Sequence, residues 1–210
     1  MDVTNYSLIE DMLSINEAQC YKEVKRYVEE FLTADHPFRK GPVCPFVPAA
    51  LKQNNIEYIN LMSSSFDEVL LTIQLLIPAY LKYRENKQSS ICSFIFILDD
   101  DFPIDDLLII HHALKPESIK NGVMIGATYP TNNASSLHKN EFYPLRTPSP
   151  CIIFRDLTVH DLIFLDPAQY SIDERIIFLS SFINKFGKHK APMHIEQVAI
   201  AQKLLNQYKG

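Results

Sequence analysis

The run Cys92 to Leu98 (CSFIFIL) is almost unbrokenly apolar and rich in β-branched and aromatic side chains, and it constrains the fold more than any other segment. It is bounded by polar Asn86 to Ser90 and by Asp99, so it reads as a strand buried on both faces and as the central strand of a sheet. Three more strands are expected at Glu57 to Met62, Gly122 to Ala127 and Cys151 to Arg155. The second and third of these are placed to pair antiparallel across the segment that joins them.

Helices alternate with the strands. Ala18, Tyr21, Val24, Tyr27, Val28, Phe31 and Leu32 recur at helical spacing and predict an amphipathic helix over Ile15 to Leu32. Ser65-Phe66-Asp67-Glu68 reads as a capping box opening a helix to about Tyr83, with a kink expected at Pro78. Pro103 suits the first turn of a helix over Ile104 to Leu114. Ser171-Ile172-Asp173-Glu174 is a second capping box, its helix stopped by Gly187, and Pro192 opens a last helix. The order predicts an α+β or α/β fold, a single domain over 1–210 with a mixed sheet of four to five strands flanked by helices. Within it, 1–35 is an N-terminal helical segment and 166–210 a C-terminal helix pair.

Two stretches fit neither pattern. His36 to Pro48 (HPFRKGPVCPFVP) holds four prolines and a glycine, which predicts a loop or edge of nearly fixed backbone presenting Cys44. Thr128 to Pro150 holds four prolines with no apolar period, and so long a connection inside a compact domain is usually functional or mobile.

Composition narrows the class. The chain has 210 residues, 47% hydrophobic and 21% charged, with a net charge of -5 and scattered basic residues. This is ordinary globular composition, without the basic stripe of a nucleic-acid binder or the polybasic patch of a membrane-surface protein. No apolar stretch is long enough to span a bilayer. Cysteines 20, 44, 92 and 151 are widely spaced and the first residues carry acids, so a cytoplasmic protein with free thiols is expected, without nucleic-acid or membrane partners. Oligomeric state is not encoded in any of these features.

Several residue groups could carry chemistry. Cys44-Pro45 suits a thiolate offered to haem iron, a nucleophile near Arg39 and Lys40, or a buried structural thiol. Asp99 and Asp101 follow the best strand, where Mg or Mn would find carboxylates as in the DxD element of nucleotide-sugar transferases; they also suit the positive end of the following helix. His36 and His138 lie one in each unusual loop, where a haem or metal between the loops could recruit either. His160-Asp161 reads as an acid-base pair or as a helix start. Arg146 and Arg155 suit a carboxylate, phosphate or propionate, with structural ion pairing as the alternative.

Taken together, Gly41 to Leu51 (GPVCPFVPAAL), Gly122 to Pro130 (GVMIGATYP) and Phe142 to Leu165 resemble an uncharacterised bacterial domain family with a GPVCPFVP hallmark. The resemblance spans about His36 to Leu165, the core of the expected domain. This chain has Tyr129 where that family's middle motif tends to carry a histidine. Val43 to Leu51 and Pro144 to Arg155 also look like patches of the haem-dependent N-oxygenases of the pre-guanitoxin N-hydroxylase type. That likeness implies haem-dependent oxidation of a small amine or amino acid, with Arg146 or Arg155 near propionates or a substrate carboxylate. It leaves Cys44, His36 and His138 as axial candidates. A metal-dependent nucleotide-sugar transferase using Asp99 and Asp101, and a non-enzymatic binding or interaction module, are the alternative functions.

Overall fold

The structure, a computed structural model, describes residues 19–61, 65–87 and 91–209. Its elements are α1 (Gln19–Arg26) running into a π-helical turn (Tyr27–Phe31), α2 (Val47–Lys52), β1 (Ile56–Asn60), α3 (Phe66–Asn86) and β2 (Ser93–Ile97). There follow α4 (Ile104–Lys120), β3 (Val123–Thr128), β4 (Cys151–Asp156), a 3-10 turn (Val159–Phe164), α5 (Ile172–Phe186) and α6 (Pro192–Lys209). Ile15 to Ala18 and Met62, at the ends of two expected elements, lie outside the described residues.

The protein is mixed α/β, with one open four-stranded sheet in the order β1-β2-β4-β3. β2 is interior, as its composition demands. β1 runs parallel to it, Ile56 opposite Ser93 and Asn60 opposite Ile97. β4 runs the other way: Leu98 N–H donates to the Pro150 carbonyl and Ser93 Oγ to the Phe154 carbonyl. β3 pairs antiparallel with β4, since Leu157 N–H bonds the Gly122 carbonyl while Thr147 Oγ1 bonds Thr128 Oγ1.

The chain divides into two compact units, one running to His111 and including Gly126–Phe154, the other His112–Ile125 with Arg155 onward. In the first, alternate residues of β2 serve different clusters, as strand geometry requires. Ile95 and Ile97 pack with Val24, Val28, Tyr58 and Cys151. Phe94 and Phe96 belong to an aromatic cluster with Tyr80 and Phe154, and the Tyr80 hydroxyl donates to the Cys92 carbonyl at 2.9 Å. In the second unit Phe178, Leu179 and Phe182 of α5 meet Leu157, Leu162, Ala201 and Leu205. Ser171 caps α5 reciprocally with Glu174, as expected from the sequence.

Four expectations are corrected. The proline-rich run ends at Phe46, because Pro48 falls in the first turn of α2, where a missing N–H costs no helical bond. α4 continues beyond Leu114 to Lys120 with Pro116 inside it. α1 loosens to a π turn at Tyr27, closed by Leu32 N–H on the Tyr27 carbonyl five residues back. Ser65 takes the N-cap place of α3 but makes no side-chain cap bond.

Candidate functional site at the seam of two loops

The two unusual stretches meet within the first unit. The Cys44 loop is built on backbone bonds: His36 N–H to the Gly41 carbonyl at 2.8 Å, Val43 N–H to Ala34 at 2.8 Å and Cys44 N–H to Leu32 at 2.9 Å. Gly41 sits at φ +91°, left-handed backbone that a side chain would strain. The Arg39 guanidinium lies inside this hairpin, donating to the carbonyls of Lys40, Pro42 and Val43, so it braces the loop. Cys44 itself is half-buried.

Phe142 of the long loop is the hinge pin of the seam. Its ring lies 4.9 Å from His36, 6.0 Å from Phe38 and 6.0 Å from Phe31. The Tyr27 hydroxyl reaches across to the Pro144 carbonyl, so the π turn holds the far end of the same loop. π turns concentrate at functional sites, and this one places Tyr27 and Phe31 in a stack facing the seam.

The structure brings His36 and His138 together, ring centroids 5.6 Å apart. Their roles differ. His36 is only 5% exposed, and its Nδ1 accepts the Phe38 N–H at 3.0 Å. A neutral imidazole whose Nδ1 is an acceptor carries its proton on Nε2, which faces Ser136 Oγ at 3.5 Å. That tautomer leaves no free lone pair for a metal, so His36 is a latch between loops. His138 is exposed, its N–H bonded to Ser136 Oγ.

Burial first, then the charges of Arg39 and His138, hold the His36 pKa below the ordinary imidazole value. The folded state therefore binds the proton less readily than the unfolded one. The latch keeps its full stability above pH about 6.5 and loses it as the pH falls below. Proton-detected NMR titration is expected to show His36 in the Nε2–H tautomer at neutral pH with a pKa under the ordinary value. A pKa above it, or the Nδ1–H tautomer, would contradict the latch.

Arg146 belongs to the seam's second loop. Nε donates to the Asn132 carbonyl at 2.9 Å, Nη2 to Asn133 Oδ1 at 3.2 Å, and the guanidinium stacks 4.0 Å over the Tyr143 ring. It is exposed, and none of these contacts is to a carboxylate, so they fix the guanidinium plane without neutralising its charge. Arg155 is placed differently, in the second unit, forked onto Asp161 at 2.6 and 2.7 Å. Asp161 also accepts from Thr158 N–H and caps the 3-10 turn, so the His160-Asp161 pair is a helix start.

Asp99 follows β2 with its carboxyl raised by burial, then by Asp101 and Asp100. Burial first, then Asp100 and Asp99, raise the Cys20 thiol, and burial raises Cys151. Both are held as thiols. Among the described residues no three His, Cys, Asp or Glu side chains converge to hold a metal ion.

Set against haem, the donor chemistry fits at Cys44, a half-buried thiol on a fixed loop, and at Arg146, an oriented fork for a propionate or carboxylate. It does not fit at His36. Missing from the sequence reading were Tyr27, Phe31, Phe142 and Ser136. Phe142 alone carried a signal, as the one phenylalanine of the 128–150 stretch.

A family model described as a domain of unknown function (DUF6875) matches residues 21–197, and the chain belongs to that family. No curated protein and no solved structure matches it. Among the described residues no helix is long and apolar enough to cross a membrane.

Proposed function

We propose that the chain is a haem-dependent, oxygenase-like tailoring enzyme acting on a small amine or amino acid, with its site at the seam of the Cys44 and 129–150 loops. The observation that supports this most is that the thiol-bearing and arginine-bearing loops are one packed assembly, joined through His36, Phe38 and Phe142 and by the Tyr27 bond to Pro144.

Cys44 is the protein ligand this reading assigns. Pro45 contributes no N–H beside the sulfur, and the bonds at Val43 and Cys44 fix the loop's course. Arg146 holds a propionate or the substrate carboxylate through its planar fork. The rings of Phe38 and Phe142 meet edge to face across the seam at 6.0 Å. Bound haem would supply the oxygen activation that no side chain here can perform. His138 is the exposed nitrogen donor of the same seam.

A second reading has its own observation. Burial first, then repulsion from Asp101 and Asp100, raises the Asp99 carboxyl; that repulsion is what a divalent cation such as Mg or Mn would relieve, with a diphosphate completing its coordination in a nucleotide-sugar transferase.

Titration of the protein with haemin is expected to produce a saturable Soret band. No band in either the ferric or the ferrous state overturns the haem reading. Stabilisation by manganese with a nucleotide sugar, lost in Asp101→Asn, would put the second reading in its place.

A further inference from the structure

The first unit holds a cavity of about 440 Å³ that the loop seam does not use. It lies at the N-terminal end of β1, whereas Asp99 to Asp101 follow the C-terminal end of the parallel neighbour β2. Tyr21, Lys25 and Glu29 line it from α1 and the π turn, and Asn54, Glu57 and Tyr58 from the β1 side. Its volume falls in the range of small-molecule sites.

We propose that this cavity is a binding site for a small organic ammonium ion, held by Glu29 and Glu57 against the rings of Tyr21 and Tyr58. Three features carry the assignment. Among the described residues the lining has one cation, Lys25, and two carboxylates, Glu29 and Glu57, so its formal charge is negative by one. Lys25 approaches Glu29 only to 3.8 Å, with both side chains over 40% exposed, a weak surface pair that a ligand cation can displace. Tyr21 and Tyr58 meet edge to face at 5.8 Å, and aromatic rings beside carboxylates attract ammonium groups.

The second observation is independent of charge. Tyr58 is 8% exposed, and its hydroxyl is buried without a hydrogen-bond partner among the described residues. Buried hydroxyls normally have one. Burial raises the Tyr58 pKa first, and Glu29 adds to it, so that carboxylate lies close enough to act on the phenol. An ammonium beside Glu29 gives the phenol oxygen an N–H to accept and cancels the negative charge facing it. This site stands whether or not haem binds at the seam.

The probe is putrescine, with butane-1,4-diol and succinate as neutral and anionic controls, in calorimetric titration of the whole chain. Saturable putrescine binding at one site is expected, with neither control binding. Glu29→Gln should weaken it about tenfold, the loss of an ion pair, and Tyr58→Phe about three- to tenfold, the loss of the phenol oxygen as acceptor of the ammonium N–H. Lys25→Met should tighten it, since it frees Glu29. Absence of saturable putrescine binding, equal binding of the diol, or unchanged affinity in Glu29→Gln overturns the proposal. Glu29 is a surface residue, so that variant decides the matter even if Tyr58→Phe folds poorly. The haemin titration is a separate readout, and neither result prejudges the other.

Discussion

Asp161→Ala is expected to lower the unfolding free energy by about 3–5 kcal/mol, the cost of breaking a largely buried ion pair from one side. The Asp161 side chain is 3% exposed and Arg155 25%, and the two close at 2.6 Å. One carboxylate does three jobs: it forks with Arg155, accepts the Thr158 N–H at 2.7 Å and accepts the Thr158 hydroxyl at 3.0 Å. Removing it takes the carboxylate from a guanidinium that keeps its bond to the Asp156 carbonyl, and uncaps the 3-10 turn whose Val159 and Leu162 pack into the second unit's core. Chemical denaturation of wild type and variant measures it. A loss under about 1 kcal/mol would mean that Arg155 finds another partner as good, which is the range of an exposed pair.

Lys115 should give the chain an unusual alkaline stabilisation. The residue is 4% exposed, with Nζ donating to the Phe164 carbonyl at 3.0 Å and lying 4.5 Å over the Tyr170 ring and 5.4 Å over Phe178. Burial pushes its amine down to about 8, against the opposing pull of Asp161. Below pH 8 the lysine is charged in both folded and unfolded states, and the cost of burying that charge is constant. Between pH about 8 and 10.5 the folded protein has released a proton that the unfolded chain still holds, so stability rises with pH. The shift corresponds to about 3 kcal/mol across that window. Tyrosines act the other way: Tyr170, pushed up to about 12 by burial and then Glu174, stabilises the fold below pH about 10 and loses that contribution as the pH climbs toward its folded pKa. The comparison is therefore wild type against Lys115→Met at each pH. The stability of wild type relative to the variant should climb by about 3 kcal/mol over the window, and a flat difference would contradict the buried cation.

Such features show where sequence reading stops. β2 was legible because hydrophobic burial acts on every residue of CSFIFIL at once, and the α5 cap because Ser171 and Glu174 satisfy each other locally. The two loops were legible by exclusion, since their prolines fit no regular element. Tyr27 to Phe31 keeps helical spacing in α and π turns alike, so the widening at Tyr27 left no mark in the pattern. The expected helix ended at Leu114, yet α4 runs on through Pro116 to Lys120. His36 and His138 were paired by their loops, but the tautomer that removes His36 from the ligand list depends on a backbone N–H whose direction only the folded hairpin sets. Lys115 is a charged residue on a helix, which reads as solvated until α5 and the 3-10 turn close over it.

Haemin titration of wild type beside Cys44→Ser most directly tests the proposed haem site at the Cys44 and 129–150 loops, with the sulfur as ligand. Wild type should give a saturable Soret band of thiolate type, and the serine variant should lose it or change to the imidazole type through His138. A wild-type protein with no Soret band in either oxidation state, or a Cys44→Ser spectrum identical to the wild type, would contradict it.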